Sequence, residues 1–172
     1  RDFSKEWHAL IKPSSLPAIR ASAVIVNARL QLVHADTSIQ DVIIAARPIT
    51  SSWTSSTVTW NTKPTYDNDI LDYVYLTASN EGNAVSFDIT RLAQKWYNGS
   101  LTCNGIALVP LSEGDVGHAY FYSCEYPTVT AHRPQLIISY RDTKGLESIW
   151  TYSSHGAGSA GAGYVNGFNG NL

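Results

Sequence analysis

The sequence predicts an all-β fold, a jelly-roll-like antiparallel β-sandwich with one short helix, on three observations. Short apolar runs follow one another along the chain, separated by Gly, Pro, Asn and Ser clusters that act as turns. The longest run alternates apolar and polar residues, which marks a sheet with one solvated face. Charged residues make up 15% of the 172-residue chain, against roughly 25% in ordinary domains, while the hydroxyl and aromatic residues favoured in sheets are plentiful.

The clearest strand covers 24–35, where Val24, Val26, Ala28, Leu30 and Leu32 alternate with Asn27, Arg29 and Gln31. Further strands are expected at 7–12, 41–47, 70–77, 84–87, 104–110, 118–124 and 135–141. Many short strands at this spacing argue for a sandwich. The segment FDITRLAQKWYNG departs from the pattern, because Ile89, Leu92, Ala93 and Trp96 fall at helical spacing. Asp88 or Thr90 is expected to cap that helix by accepting from its orphan amides, and Gly99 to take the left-handed stop. The helix should cross the end of the sandwich, with Trp96 sealing the core.

Of 12 glycines, seven (Gly145, Gly156, Gly158, Gly161, Gly163, Gly167 and Gly170) follow residue 140. This shift sets a boundary near residue 141, giving a sandwich over 1–141 and a Gly-rich extension over 142–172. Trp150, Tyr152, Tyr164 and Phe168 in the extension need cover, so it should lie on the sandwich surface, pair with a sheet edge, or contact another copy.

Twelve Lys and Arg against 14 Asp and Glu give a net charge of −2, which offers no bulk attraction to nucleic acid or to an anionic membrane. No apolar run approaches the roughly 18 to 20 residues of a membrane helix. The absence of Met, even at position 1, predicts a piece of a longer chain.

Catalytic chemistry finds little support. His8, His34, His118, His132 and His155 fall on different expected strands and loops, with no metal-binding spacing. No serine sits in a nucleophile elbow and no Gly-rich loop opens a helix. The acids Asp67, Asp69, Asp72, Glu113 and Asp115 read as turn formers or solvated charges, with a structural Ca²⁺ site as a second reading and a glycosidase pair as a third. No cofactor is called for, and an enzyme is not expected.

Cys103 and Cys124 carry a sharper signal. If 104–110 and 118–124 form a hairpin, its centre lies in the loop 111–117, midway between the two cysteines. They would then stand opposite each other, with Ile106 facing Phe121 and Leu108 facing Ala119 on the other side. A disulfide and a thiol pair both remain open on this register.

The motif order LIKPSSLPAI, ASAVIVNARLQL, SSWTSSTVTWNTKP, FDITRLAQKWYNG, GIALVP, FYSCEY and RPQLIISY resembles the DNRLRE domain over about residues 7–140. These β-sandwich modules occur in large secreted bacterial and archaeal proteins, and some are classed as carbohydrate-binding modules with alginate among the ligands. The run GLESIWTYSSHGAGSAGAGYVNGFNGNL resembles the lead-in to a YD-repeat (RHS-type) shell. The resemblance implies a secreted or cell-wall-associated RHS-repeat protein whose flanking domains are the module's partners. It also implies that Trp53 and Trp60 are core anchors, that Trp96 is a plug beneath the helix, and that Glu125 and Arg133 fix a loop together.

Two functions follow. A noncatalytic carbohydrate-binding module would stack exposed aromatic rings on sugar faces and hold hydroxyls or carboxylates with Arg, Asn or Gln. Alternation places Tyr120 and Tyr122 opposite Phe121, alternates Tyr73 and Tyr75 on a neighbouring strand, and points Arg29 and Gln31 outward. These six residues form the expected polysaccharide site. The alternative is a structural spacer or adaptor with no glycan ligand, in which the tyrosines cover a sheet face or receive the tail.

Overall fold

The computed structural model describes residues 5–20, 22–37, 41–111, 118–141, 147–153 and 164–171, with side chains described over 8–20, 22–36, 41–111 and 118–141. The strands are β1 (Lys5–Lys12), β2 (Val24–Thr37), β3 (Val42–Pro48), β4 (Asp72–Leu76), β5 (Ala84–Asp88), β6 (Ile106–Pro110), β7 (Ala119–Phe121), β8 (Gln135–Arg141), β9 (Glu147–Ser153) and β10 (Tyr164–Asn171). One sheet runs β10-β1-β6-β3-β4 and the other β5-β2-β8-β9, with β7 on the far end of β2. Every named pair is antiparallel. The expected sandwich is present.

Alternation along these strands builds the core. Leu30, Leu32, Phe87, Leu136 and Ile138 from the second sheet meet Val42, Ile44, Leu76, Ile106 and Leu108 from the first. Burial on this scale is the main favourable contribution to folding, worth about 1.5–3 kcal/mol per large apolar side chain. On the other face of the first sheet, Leu10, Ala45, Ala107 and Val109 join Ile49 and Trp53 in a second apolar cluster under the connection between β3 and β4. This explains IALVP: β6 is apolar without alternation because both of its faces are covered.

The short helix α1 (Thr90–Tyr97) buries Leu92, Ala93 and Trp96. Its N-cap residue is Ile89, which makes no side-chain cap bond. Asp88 instead reaches in from the preceding position and accepts from the Thr90 amide at 2.8 Å. Thr90 Oγ1 is drawn sideways, accepting from the Ala28 amide at 2.9 Å and so tying the helix to β2. Gly99, at φ 76°, supplies the expected left-handed stop.

The hairpin joining β6 to β7 does not form. β6 lies between β1 and β3 in the first sheet, while β7 pairs with β2 in the second. Ile106 therefore faces Ile11 and Pro48, and Phe121 faces His34. The expectation that Cys103 and Cys124 stand opposite each other on adjacent strands falls with that register, and both are thiols outside any disulfide. Gly105, just before β6, explains part of the local path. Its φ is +98°, and a Cβ there would lie 2.2 Å from the Ile11 carbonyl oxygen, so only glycine lets the chain pass β1 this closely.

The C-terminal segment supplies one strand to each sheet. β9 pairs along β8, with Trp150 opposite Ile138, and β10 pairs along the whole of β1, with Phe168 opposite His8. Among the described residues, no helix is long and apolar enough to cross a membrane.

Candidate functional site

The outer face of the second sheet carries the best candidate site, and the hydrogen bonding of β2 explains how it is assembled. The His34 amide donates to Asn83 and its carbonyl accepts from Gly82, on the β5 side. The preceding carbonyl, Val33, accepts from the Tyr122 amide at 3.1 Å. Consecutive strand residues present their backbone groups to opposite edges, so β7 occupies the same edge of β2 that β8 uses. Tyr122 adjoins Val33 and Gln135 adjoins Gln31. Thus β7 and β8 are two pieces of one line along β2, and residues 123–134 are an excursion extruded between them.

Side-chain parity then sets the face. Leu30, Leu32, Leu136 and Ile138 point into the core, so Arg29, Gln31 and Val33 on β2 and Gln135 and Ile137 on β8 point outward. Phe121 and Ala119 pack against the inner core, which turns Tyr120 and Tyr122 to the same outer face. Arg29, Gln31, Tyr122 and Tyr120 consequently form one row. The structure brings together four of the six residues expected to bind sugar.

Tyr73 and Tyr75 lie elsewhere. They sit on β4, the edge of the first sheet, at 60% and 56% exposure, on the face opposite the core-facing Val74 and Leu76. The Tyr75 hydroxyl donates to Asp41, and this bond, together with the carboxylate charge, raises its pKa above the ordinary phenol value.

The excursion adds rings that sequence reasoning missed. Tyr122 packs on Tyr126 with ring centroids 4.4 Å apart and on His132 at 4.7 Å, while Tyr126 and His132 are nearly parallel at 5.9 Å. All three rings are half-buried. Beyond them, Tyr120 is 53% exposed and pairs with the His118 ring at 5.0 Å. The signal that locates Tyr126 and His132 is the shared edge of β7 and β8, which is a long-range property of the ladder.

The remaining residues of interest have structural surroundings. Trp53 and Trp96 are buried at 9% and 7% exposure. Trp53 Nε1 donates to the Asn104 carbonyl at 2.8 Å, fixing the β3–β4 connection over β6. Trp60 is only half-buried, with Lys63 Nζ 3.3 Å from its ring centroid and the His8 ring at 5.0 Å. Arg133 Nε donates to the Tyr126 carbonyl at 3.0 Å, while Glu125 accepts from Cys124 Sγ at 3.6 Å. Burial pushes the Cys103 thiol up to about 11.

Of the described acids, Asp67 behaves as a turn former, whereas Asp72 lies in β4 and ties it to the end of β5. Asp67 accepts from the Asp69 amide, and Asp72 from the Tyr73 and Asp88 amides. Glu113 and Asp115 lie outside the described residues. Among the described residues, no three His, Cys, Asp or Glu side chains gather as a metal-holding group. Asp88, on the outer face opposite Arg29, has its pKa lowered by the hydrogen bonds it accepts from Thr90. The row thus sets aromatic rings beside a guanidinium, an amide and a carboxylate, groups that suit a hydroxyl-rich chain.

No curated protein matches the chain. The family model described as carbohydrate-binding module family 96 matches residues 9–140, which covers both sheets from β1 to β8. Families of such modules are generally noncatalytic. By that match, the chain belongs to carbohydrate-binding module family 96.

Proposed function

We propose that the chain is a noncatalytic module that holds a polysaccharide along the outer face of its second sheet, with Tyr120 and Tyr122 stacking on sugar rings and Arg29 and Gln31 bonding to polar substituents. The single observation that carries this site is the shared outer face of β2 and β7, which sets the four side chains in one row. The DNRLRE-like motifs, together with the RHS-like segment after residue 141, support a place in a large secreted or cell-wall-associated RHS/YD-repeat protein. In that setting the sandwich anchors the protein to a glycan, and the segment after residue 141, whose strands β9 and β10 pair at the sheet edges, leads into the repeat shell. Affinity electrophoresis in gels containing sodium alginate, xylan or galactomannan tests the binding. The expected result is retardation by at least one polysaccharide that weakens in Tyr120→Ala, Tyr122→Ala, Arg29→Ala and Gln31→Ala. Equal mobility of the unaltered chain in every gel would overturn this reading in favour of a spacer without a glycan ligand.

A further inference from the structure

The excursion 123–134 enters the row near its middle. Arg29 and Asp36 bound the row on β2, with Tyr120 opposite Asp36. Seven residue steps separate those two positions, which is about 23 Å at roughly 3.3 Å per residue. Tyr122 stands beside Val33, between the two ends, and Tyr126 and His132 pack on its ring. A glycan that touches both Arg29 and Tyr120 must therefore pass the three-ring cluster.

Two further observations separate this cluster from ordinary core. Its rings are half-buried, whereas Val33, on the outward face beside Tyr122, is only 6% exposed. The floor is closed while the rings above it still present surface. In addition, the described bonds that fix the excursion are internal. Arg133 Nε donates to Tyr126 O, the Tyr126 amide to Ser123 O, and the His132 amide to Val129 O. Arg133 holds the backbone of Tyr126 across the base of the excursion, and so sets where that ring stands.

We infer that Tyr126 and His132 contact the glycan at the centre of an extended site and that Arg133 is a positioning residue acting through Tyr126. This rests on the proposed polysaccharide-binding reading and deepens it. The site takes an extended stretch of chain that spans the row, because the central rings lie between polar contacts at one end and Tyr120 at the other.

The test uses the full chain and whichever of the sodium alginate, xylan or galactomannan gels retards it. Tyr126→Phe keeps the ring and should bind like the parent. Tyr126→Leu keeps an apolar side chain against Tyr122 but loses the aromatic face, and should weaken binding about fivefold to tenfold. His132→Leu should weaken it similarly. Arg133→Ala should lose affinity with an unchanged melting profile in the remainder of the sandwich, and the double variant with Tyr126→Leu should be no weaker than Tyr126→Leu alone. That non-additivity marks action through Tyr126, which a general structural role would not produce. If Tyr126→Leu and His132→Leu bind like the parent while Tyr120→Ala does not, the central contacts are overturned and the binding module stands. If no gel retards the parent chain, both readings fall together.

Discussion

The two outer faces of the sandwich are each crossed by a long connection, and the two connections use their aromatics differently. The segment after β3 lies over the first sheet as a committed cover. Ile49 and Trp53 complete an apolar cluster with β1, β3 and β6, and Trp53 donates to Asn104 across 51 positions of sequence. Paired hydroxyls such as Thr50 and Thr65, at 2.9 Å, close its base. The described bonds of the excursion 123–134 over the second sheet are internal to it, and its rings are half-buried. One connection uses its rings to close a core. The other leaves aromatic surface beside polar strand residues, which is what a ligand needs.

The largest expected effects lie in the two closed apolar clusters and at the tight passage beside them. Gly105→Ala would place a Cβ against the Ile11 carbonyl at a backbone angle that L-residues avoid. Strain of this kind costs about 1–3 kcal/mol before the clash with β1 is counted, and urea unfolding should show at least that loss. Trp53→Ala removes buried ring surface and leaves the Asn104 carbonyl without its donor. We expect a cost of about 3–5 kcal/mol, and the same for Trp96→Ala. Trp60→Ala should cost less, because that ring is half-buried. The contrast between the faces would collapse if Tyr126→Leu destabilised as much as Trp53→Ala, since the excursion would then be core as well.

A smaller effect tests the covered side by pH. Cys103 packs against the main core, and burial raises its thiol to about 11. Because the folded value exceeds the unfolded one, the neutral thiol stabilises the fold fully below the ordinary value near 9.0, and that contribution is lost as pH rises through about 11. Tyr97, whose hydroxyl donates to the Pro17 carbonyl, is also shifted upward by burial. Chemical unfolding between pH 8 and pH 11 should show a decline that is shallower in Cys103→Ala. Equal slopes would mean that the thiol is not desolvated.

The sandwich was legible because its strands alternate or are bounded by turn residues, and those are local properties. The helix was legible for the same reason, down to Gly99. Its cap was read less well: Asp88 and Thr90 were interchangeable in sequence, and the contact of Thr90 with Ala28 on β2 decided how they divide the work. The assignment of β6 and β7 to one hairpin failed for a related cause. Parity specifies which side chains share a face, but it does not specify which sheet a strand joins. The unbroken apolar run from Ile106 to Val109 was the available clue that β6 needs cover on both sides. Tyr120, Tyr122, Arg29 and Gln31 could each be read as outward from alternation alone. Their union on one face, and the separation of Tyr73 and Tyr75 from them, depend on strand order, which no local pattern encodes.

The smallest effects on stability should come from the open row itself, and that makes it the cleanest place to separate binding from folding. Arg29 is exposed and Gln31 half-buried, and both point away from the main core. Arg29→Ala should change unfolding free energy by no more than about 0.5 kcal/mol, as surface substitutions usually do, with Gln31→Ala close to that. Asp88 lies opposite Arg29 and is mostly exposed, so its lowered pKa carries only a weak stability contribution after solvent screening. That contribution is present above the unfolded carboxyl value of 3.8 and is lost as pH falls through the lower folded value, when the acceptor for the Thr90 amide is protonated. Asp88→Asn should therefore flatten the acid limb slightly while leaving the melting temperature at neutral pH nearly unchanged. Thermal unfolding of the three variants at pH 7 and near pH 3 checks both statements. A loss of more than about 2 kcal/mol in Arg29→Ala, beyond the usual range for surface positions, would show that this face is sealed in the folded chain and would remove the ground for placing a glycan on it.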